Sequence, residues 1–134
     1  RFQVQRLLYD PRFADFPMQR LITGEQNTDG TMKFQPATFE VRPLNQGPAT
    51  MMEPIEEFER LIVSRKMRHD GNPVTRWQAG HVSRGRNGLL CKPGGASDPR
   101  TIDGIQSAVI ALAGVESGEY ATAYANDGDG VILF

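Results

Sequence analysis

The sequence predicts an α/β domain, because apolar strands and amphipathic helices succeed one another along its 134 residues. Three observations carry that class. Phe2 to Tyr9 reads as a strand, with Phe2 and Val4 alternating against polar neighbours before the unbroken Leu7-Leu8-Tyr9 run. Glu53 to Lys66 reads as a long helix, because Ile55, Phe58, Leu61 and Ile62 share one stripe while Glu56, Glu57 and Arg60 fall off it. From Thr101 a last helix repeats the spacing with Ile102, Ile105, Val109 and Leu112.

The remaining elements follow from local chemistry. Asp10-Pro11 stops the first strand, and Phe13, Phe16, Met18, Leu21 and Ile22 then recur at loose helical spacing up to Gly24, a C-terminal cap, with Pro17 as a kink inside. Gly24 to Gly30 reads as a turn-rich loop. Thr38 to Leu44 reads as a second strand broken by Asn45-Gln46-Gly47-Pro48. In the Glu53 helix the acids stand early and Arg65-Lys66 late, as the helix dipole favours. After Asp70-Gly71-Asn72, a short helix starts at Pro73 and is expected to carry Val74, Trp77 and His81 inward. Ser83 to Pro93 reads as a hairpin or loop with Asn87-Gly88 at its turn. Beyond Gly114 the pattern fades into a small, polar tail.

Composition bounds the function. The whole chain carries 15 basic and 16 acidic residues, a net charge of -1. Arg60 to Arg100 holds nine basic residues and two acidic ones, net +7, inside an otherwise acidic chain. Arginine dominates that stretch, and its planar fork suits phosphate. The single Cys91 excludes an internal disulfide and a cysteine-rich zinc site. No apolar run reaches the roughly 18 residues of a membrane span. The Arg1 start, with neither Met nor a signal core, is expected to lie inside a longer protein.

Two acids stand where chemistry is done. Asp10 follows an apolar strand, where open α/β sheets place their ligands, although an Asp before Pro also ends a strand unaided. Asp103 lies in the first turn of the last helix, where the dipole favours a carboxylate in any case. Carboxylates from two elements can share hard divalent cations, with water and phosphate completing the shell. His69 and His81 lack the spacing of helical zinc sites, and Asp127 and Asp129 lack the glutamate of a calcium loop. None of the three lysines stands in a phosphate-binding loop.

The ordered wording Tyr9-Asp10-Pro11, Arg42-Pro43-Leu44-Asn45-Gln46-Gly47, His69-Asp70-Gly71-Asn72-Pro73-Val74-Thr75-Arg76-Trp77 and Thr101-Ile102-Asp103-Gly104-Ile105 resembles the nuclease domain of tailed-phage terminase large subunits. The most specific part is Asn72-Pro73 and Trp77 followed by Ile102-Asp103-Gly104. Departures are Arg12-Phe13, where the family often has Trp, and His81, where it often has Asn. The resemblance implies an RNase H-like nuclease fold, N-terminally truncated with its first strands missing, over residues 1–114, followed by a C-terminal tail, 115–134. It implies a Mg2+- or Mn2+-dependent DNA endonuclease module that cuts concatemeric DNA during packaging, with Asp10 and Asp103 as catalytic, metal-holding acids.

The family's first acid lies on an earlier strand, and no Asp or Glu precedes Asp10 here, so the chain alone is expected to be inactive. The basic stretch becomes a DNA-backbone contact, with Arg76, Arg84 and Arg86 as the expected residues. Implied partners are double-stranded DNA, the portal protein and the small terminase subunit, in the host cytoplasm and away from membrane. Two alternatives compete: a non-catalytic module that docks on the portal or guides DNA, and another RNase H-like nuclease such as a resolvase.

Overall fold

The computed structural model describes residues 4–69 and 71–115, and the backbone of 131–133. The element order is β1 (Arg6–Tyr9), α1 (Pro11–Thr23), β2 (Glu25–Gln26), β3 (Met32–Phe34), β4 (Glu40–Pro43), α2 (Pro48–Val63), β5 (Met67–His69), α3 (Pro73–Ala79), β6 (Ser83–Arg84), β7 (Leu90–Cys91), a 3-10 turn (Gly95–Ser97), α4 (Asp103–Ala113) and β8 (Val131–Leu133). The class is mixed α/β with small sheets, as the alternating pattern predicts. Two compact units divide it, 1–46 and 47–134.

In the first unit β1 and β4 pair in parallel, with Leu7 opposite Val41 and Tyr9 opposite Pro43. Parallel strands need a long connection, which α1 and the β2–β3 hairpin supply. The segment Gly24 to Gly30 is therefore only partly loop, since Glu25 pairs with Phe34. Helix α1 begins where Asp10 caps it and Pro11 takes the first position, and it runs through Pro17 to Gly24. Its apolar residues stay outside: no α1 residue is buried, and Phe13 and Phe16 are 80% and 74% exposed. Among the described residues of this unit, Tyr9 and Leu44 are the buried apolar ones, joined by a hydrogen bond from the Leu44 amide to the Tyr9 carbonyl.

The second unit is built on two helices. Met51, Ile55, Phe58 and Leu61 of α2 meet Ile105, Val109 and Leu112 of α4, with Ile102 just before it; all eight are buried. Each set recurs at three- and four-residue intervals, so each forms one stripe. The sequence pattern placed the start of α2 at Glu53, but Gly47 precedes the helix and Pro48 occupies its first turn. Proline needs no amide partner there, so the same Gly-Pro pair that ends a strand opens a helix. Ile62, expected on the stripe, is 50% exposed, and Met51 takes the place one turn upstream.

Helix α2 closes with the Lys66 amide on the Leu61 carbonyl and the Arg65 amide on Ile62, which leaves Arg65 at φ 56°. That is the two-bond termination usually completed by glycine. β5 follows, pairing in parallel with β8 from Met67↔Val131 to His69↔Leu133. The expected Asn87-Gly88 hairpin is present: Ser83 pairs with Cys91, Arg84 with Leu90, and Gly88 turns at φ 78°. Asp127, Asp129, Phe2 and Asp70 lie outside the described residues.

Candidate functional site

Asp10 stands at the C-terminal end of β1 and caps α1. One carboxylate oxygen accepts the Arg12 amide at 2.9 Å and the other accepts Gln46 Nε2 at 3.1 Å. A carboxylate has about four acceptor positions, so capping leaves capacity on both oxygens. The Asp10 carbonyl also receives the Ala14 amide at 3.1 Å, which anchors the acid at the junction of strand and helix.

Asp103 belongs to the second unit, as the first residue of α4. Its side chain is exposed and accepts no hydrogen bond among the described residues. The backbone around it is held instead: the Gly104 amide donates to Gln78 Oε1 at 2.8 Å, and Gln78 Nε2 donates to Thr101 Oγ1 at 2.9 Å. Gln78 is the buried residue of α3, whereas Val74 and Trp77, expected inward, are 58% and 44% exposed. The reason is local. Asn72 caps α3 through the Val74 amide at 2.8 Å, and that start turns Gln78, not the indole, toward the first turn of α4. Trp77 lies against the His81 ring, with centroids 4.7 Å apart, and His81 Nδ1 is 2.6 Å from the Trp77 carbonyl.

Beside Asp103 lies an open cleft of about 360 Å³, whose walls carry Lys92, Arg100 and Asp103. Its shape depends on Asp98, whose side chain is 3% exposed. Asp98 accepts the Gly94 amide at 2.9 Å, the Arg100 amide at 3.0 Å, and the Arg100 guanidinium at 2.8 and 2.5 Å. These donors, the Arg100 side chain foremost, hold the Asp98 carboxyl well below the usual carboxylate range. Lys92 Nζ donates to the Asp98 carbonyl at 2.6 Å, so both cations of the cleft are tied to one loop. Sequence reasoning missed Gln78 and Asp98. Asp98 left a signal in the Asp-Pro-Arg spacing, which lets a carboxylate reach the guanidinium two residues on; Gln78 left none.

The three arginines expected at DNA differ. Arg84, on β6, reaches the acids of α2, with Nε 3.2 Å from Glu59 Oε1 and Nη2 4.0 Å from Glu56 Oε1. Arg76 on α3 and Arg86 at the hairpin tip are exposed and make no ion pair with a described residue. Arg65, Lys66 and Arg68 share that state. The described residues hold no group of three or more His, Cys, Asp or Glu side chains arranged for one metal ion.

A family model described as the terminase large subunit endonuclease domain matches residues 1–119. The chain belongs to that family. The terminase assignment covers the first unit and the second as far as residue 119, with Asp10, Asp103 and the whole basic stretch. No curated protein and no solved structure matches the chain.

Proposed function

We propose that this terminase chain is a Mg2+- or Mn2+-dependent endonuclease module with an RNase H-like arrangement that cuts concatemeric DNA during phage packaging. The terminase endonuclease match over residues 1–119 carries the proposal. Residues 1–114 would form the nuclease part and 115–134 a tail. Asp10 and Asp103 are the proposed metal-holding acids, and the donor chemistry fits a hard cation: Asp103 is exposed with its oxygens unengaged by described residues, and Asp10 retains acceptor capacity. Single carboxylates suit an ion that keeps most of its water and takes phosphate oxygens, as Mg2+ does.

When bound, such ions polarise the phosphodiester and activate water. The chain's own residues bind and orient the duplex. Arg76 and Arg86 are exposed and available to phosphate oxygens, while Arg84 would exchange Glu59 for phosphate. Asp10 and Asp103 supply two carboxylates, and two closely spaced ions call for further acidic charge beside them. Portal, small subunit and host cytoplasm complete the proposal; no helix among the described residues is long and apolar enough to cross a membrane.

A second reading, a non-catalytic module that docks on the portal or guides DNA, draws support from α1, whose exposed Phe13 and Phe16 lie beneath Arg12 and Arg20 at 5.3 and 5.9 Å from the ring centres. Filter binding of random-sequence duplex at rising salt tests the DNA face. Affinity is expected to fall linearly on logarithmic axes, and replacing Arg76 and Arg86 by Ala to reduce the slope by about 2. An unchanged affinity and slope would remove these residues from the interface.

A further inference from the structure

The first turn of any helix leaves amides without intrahelical partners, which an N-cap side chain or a group from outside the helix must accept, and the N-cap of α4 is Ile102, whose side chain cannot. In α4 the Gln106 amide bonds the Ile102 carbonyl, and the Gly104 amide is taken from outside the helix by Gln78 Oε1 at 2.8 Å. The other end of the same amide group reaches Thr101 Oγ1 at 2.9 Å. One planar side chain therefore grips the residue after Asp103 and the residue two before it. Gln78 is 7% exposed, and both its ends are satisfied, as a buried amide requires.

Position 104 is shaped for this contact. A Cβ there would lie 2.4 Å from Gln78 Oε1, far inside van der Waals contact. The glycine after Asp103 thus admits the approach of Gln78, which a Cβ at this position would push aside. The Asp103 carboxylate is exposed with no described partner.

We propose that Gln78 is a positioning residue for Asp103: its buried amide holds the first turn of α4 that the Ile102 side chain cannot cap, fixing the Asp103 backbone on both sides while the carboxylate stays open to a divalent cation. The inference rests on the metal role proposed for Asp103. It adds a residue on a different helix, and a reason for Gly104, to that role.

The test is a Mn2+ titration of the 134-residue chain followed by paramagnetic broadening of the backbone amide resonances. In the native chain, broadening should centre on Asp103 to Ile105 and vanish in Asp103→Asn. Gln78→Met keeps the length of the side chain and removes both hydrogen bonds; Gly104→Ala keeps the glutamine and displaces it. Each should weaken Mn2+ binding about 10-fold, the scale seen when groups that orient a metal ligand are removed. Gln78→Glu, which still accepts from the Gly104 amide and can accept from the Thr101 hydroxyl, should bind at least as tightly as native.

A role confined to packing α3 on α4 would lower the melting temperature and leave Mn2+ affinity in place. Native affinity in both Gln78→Met and Gly104→Ala, with Asp103→Asn still silent, would overturn the proposal and leave the metal site standing. Should Gln78→Met fail to fold, Gly104→Ala and Gln78→Glu decide the matter alone. Broadening unchanged in Asp103→Asn would remove the metal role and the Gln78 role together.

Discussion

The two units present their acids in opposite ways. In the first, Asp10 sits on a two-stranded parallel pair with little apolar burial nearby, and its carboxylate does structural work as a helix cap. In the second, Asp103 sits on a helix whose opposite face is packed against α2, and capping is delegated to Gln78. The difference teaches that a carboxylate at a helix start can carry the cap itself or leave the first turn to another side chain. Hydrophobic burial differs too: among the described residues, the buried apolar side chains concentrate in the second unit.

The largest effect expected from that contrast is in the α2–α4 core. Ile55 is 1% exposed, and Ile55→Ala should destabilise the chain by about 2–5 kcal/mol in denaturant melts. A cost below about 1 kcal/mol would mean that the second unit is not the better-packed one.

Next in size is Asp98→Asn. The folded-state pKa of Asp98 is depressed, so its contribution is fully present above the ordinary carboxylate range and is lost as pH falls below that range. Melting temperatures measured from about pH 6 to about pH 2 should fall less steeply in Asp98→Asn than in the native chain, from a lower starting value. Parallel curves would show that the buried Asp98–Arg100 contact adds nothing to acid sensitivity.

Smaller, and opposite in sign, is Arg65→Gly. Arg65 occupies the left-handed region at the end of α2, so glycine there should stabilise by about 1 kcal/mol, read as a higher denaturant midpoint with unchanged slope. The smallest effect belongs to the first unit. Phe13 is 80% exposed, and Phe13→Ala should change stability by less than about 0.5 kcal/mol. A large loss would reveal that the aromatic face of α1 is covered in solution.

How much of this was legible follows from the same contrast. The α2 and α4 stripes were readable because helical spacing imposed by one apolar neighbour leaves a periodic trace; Ile55, Phe58, Leu61, Ile105, Val109 and Leu112 are all where that period puts them. The Asn87-Gly88 turn was readable because a left-handed residue selects its own chemistry. The short strands β2, β3 and β5 were not, since two or three residues cannot show an alternation. Trp77 and Val74 misled because a seven-residue helix can be oriented by one hydrogen-bonding side chain, here Gln78, against its apolar residues. Asp10 and Asp103 were picked out by position and by wording, and the cap that Asp10 places on the Arg12 amide is local, but the further bond from Gln46 to Asp10 and the grip of Gln78 beside Asp103 come from 36 and 25 residues away in sequence, and no local pattern announces them.

The central claim is that Asp103 serves a metal-dependent nuclease, and supercoiled-plasmid cleavage in Mn2+ measures it most directly. The 134-residue chain should leave the plasmid intact, while a longer polypeptide that adds the family's upstream acid should nick and linearise it only with divalent metal, and Asp103→Asn in that polypeptide should abolish cutting. Metal-dependent cutting that survives Asp103→Asn would contradict the account.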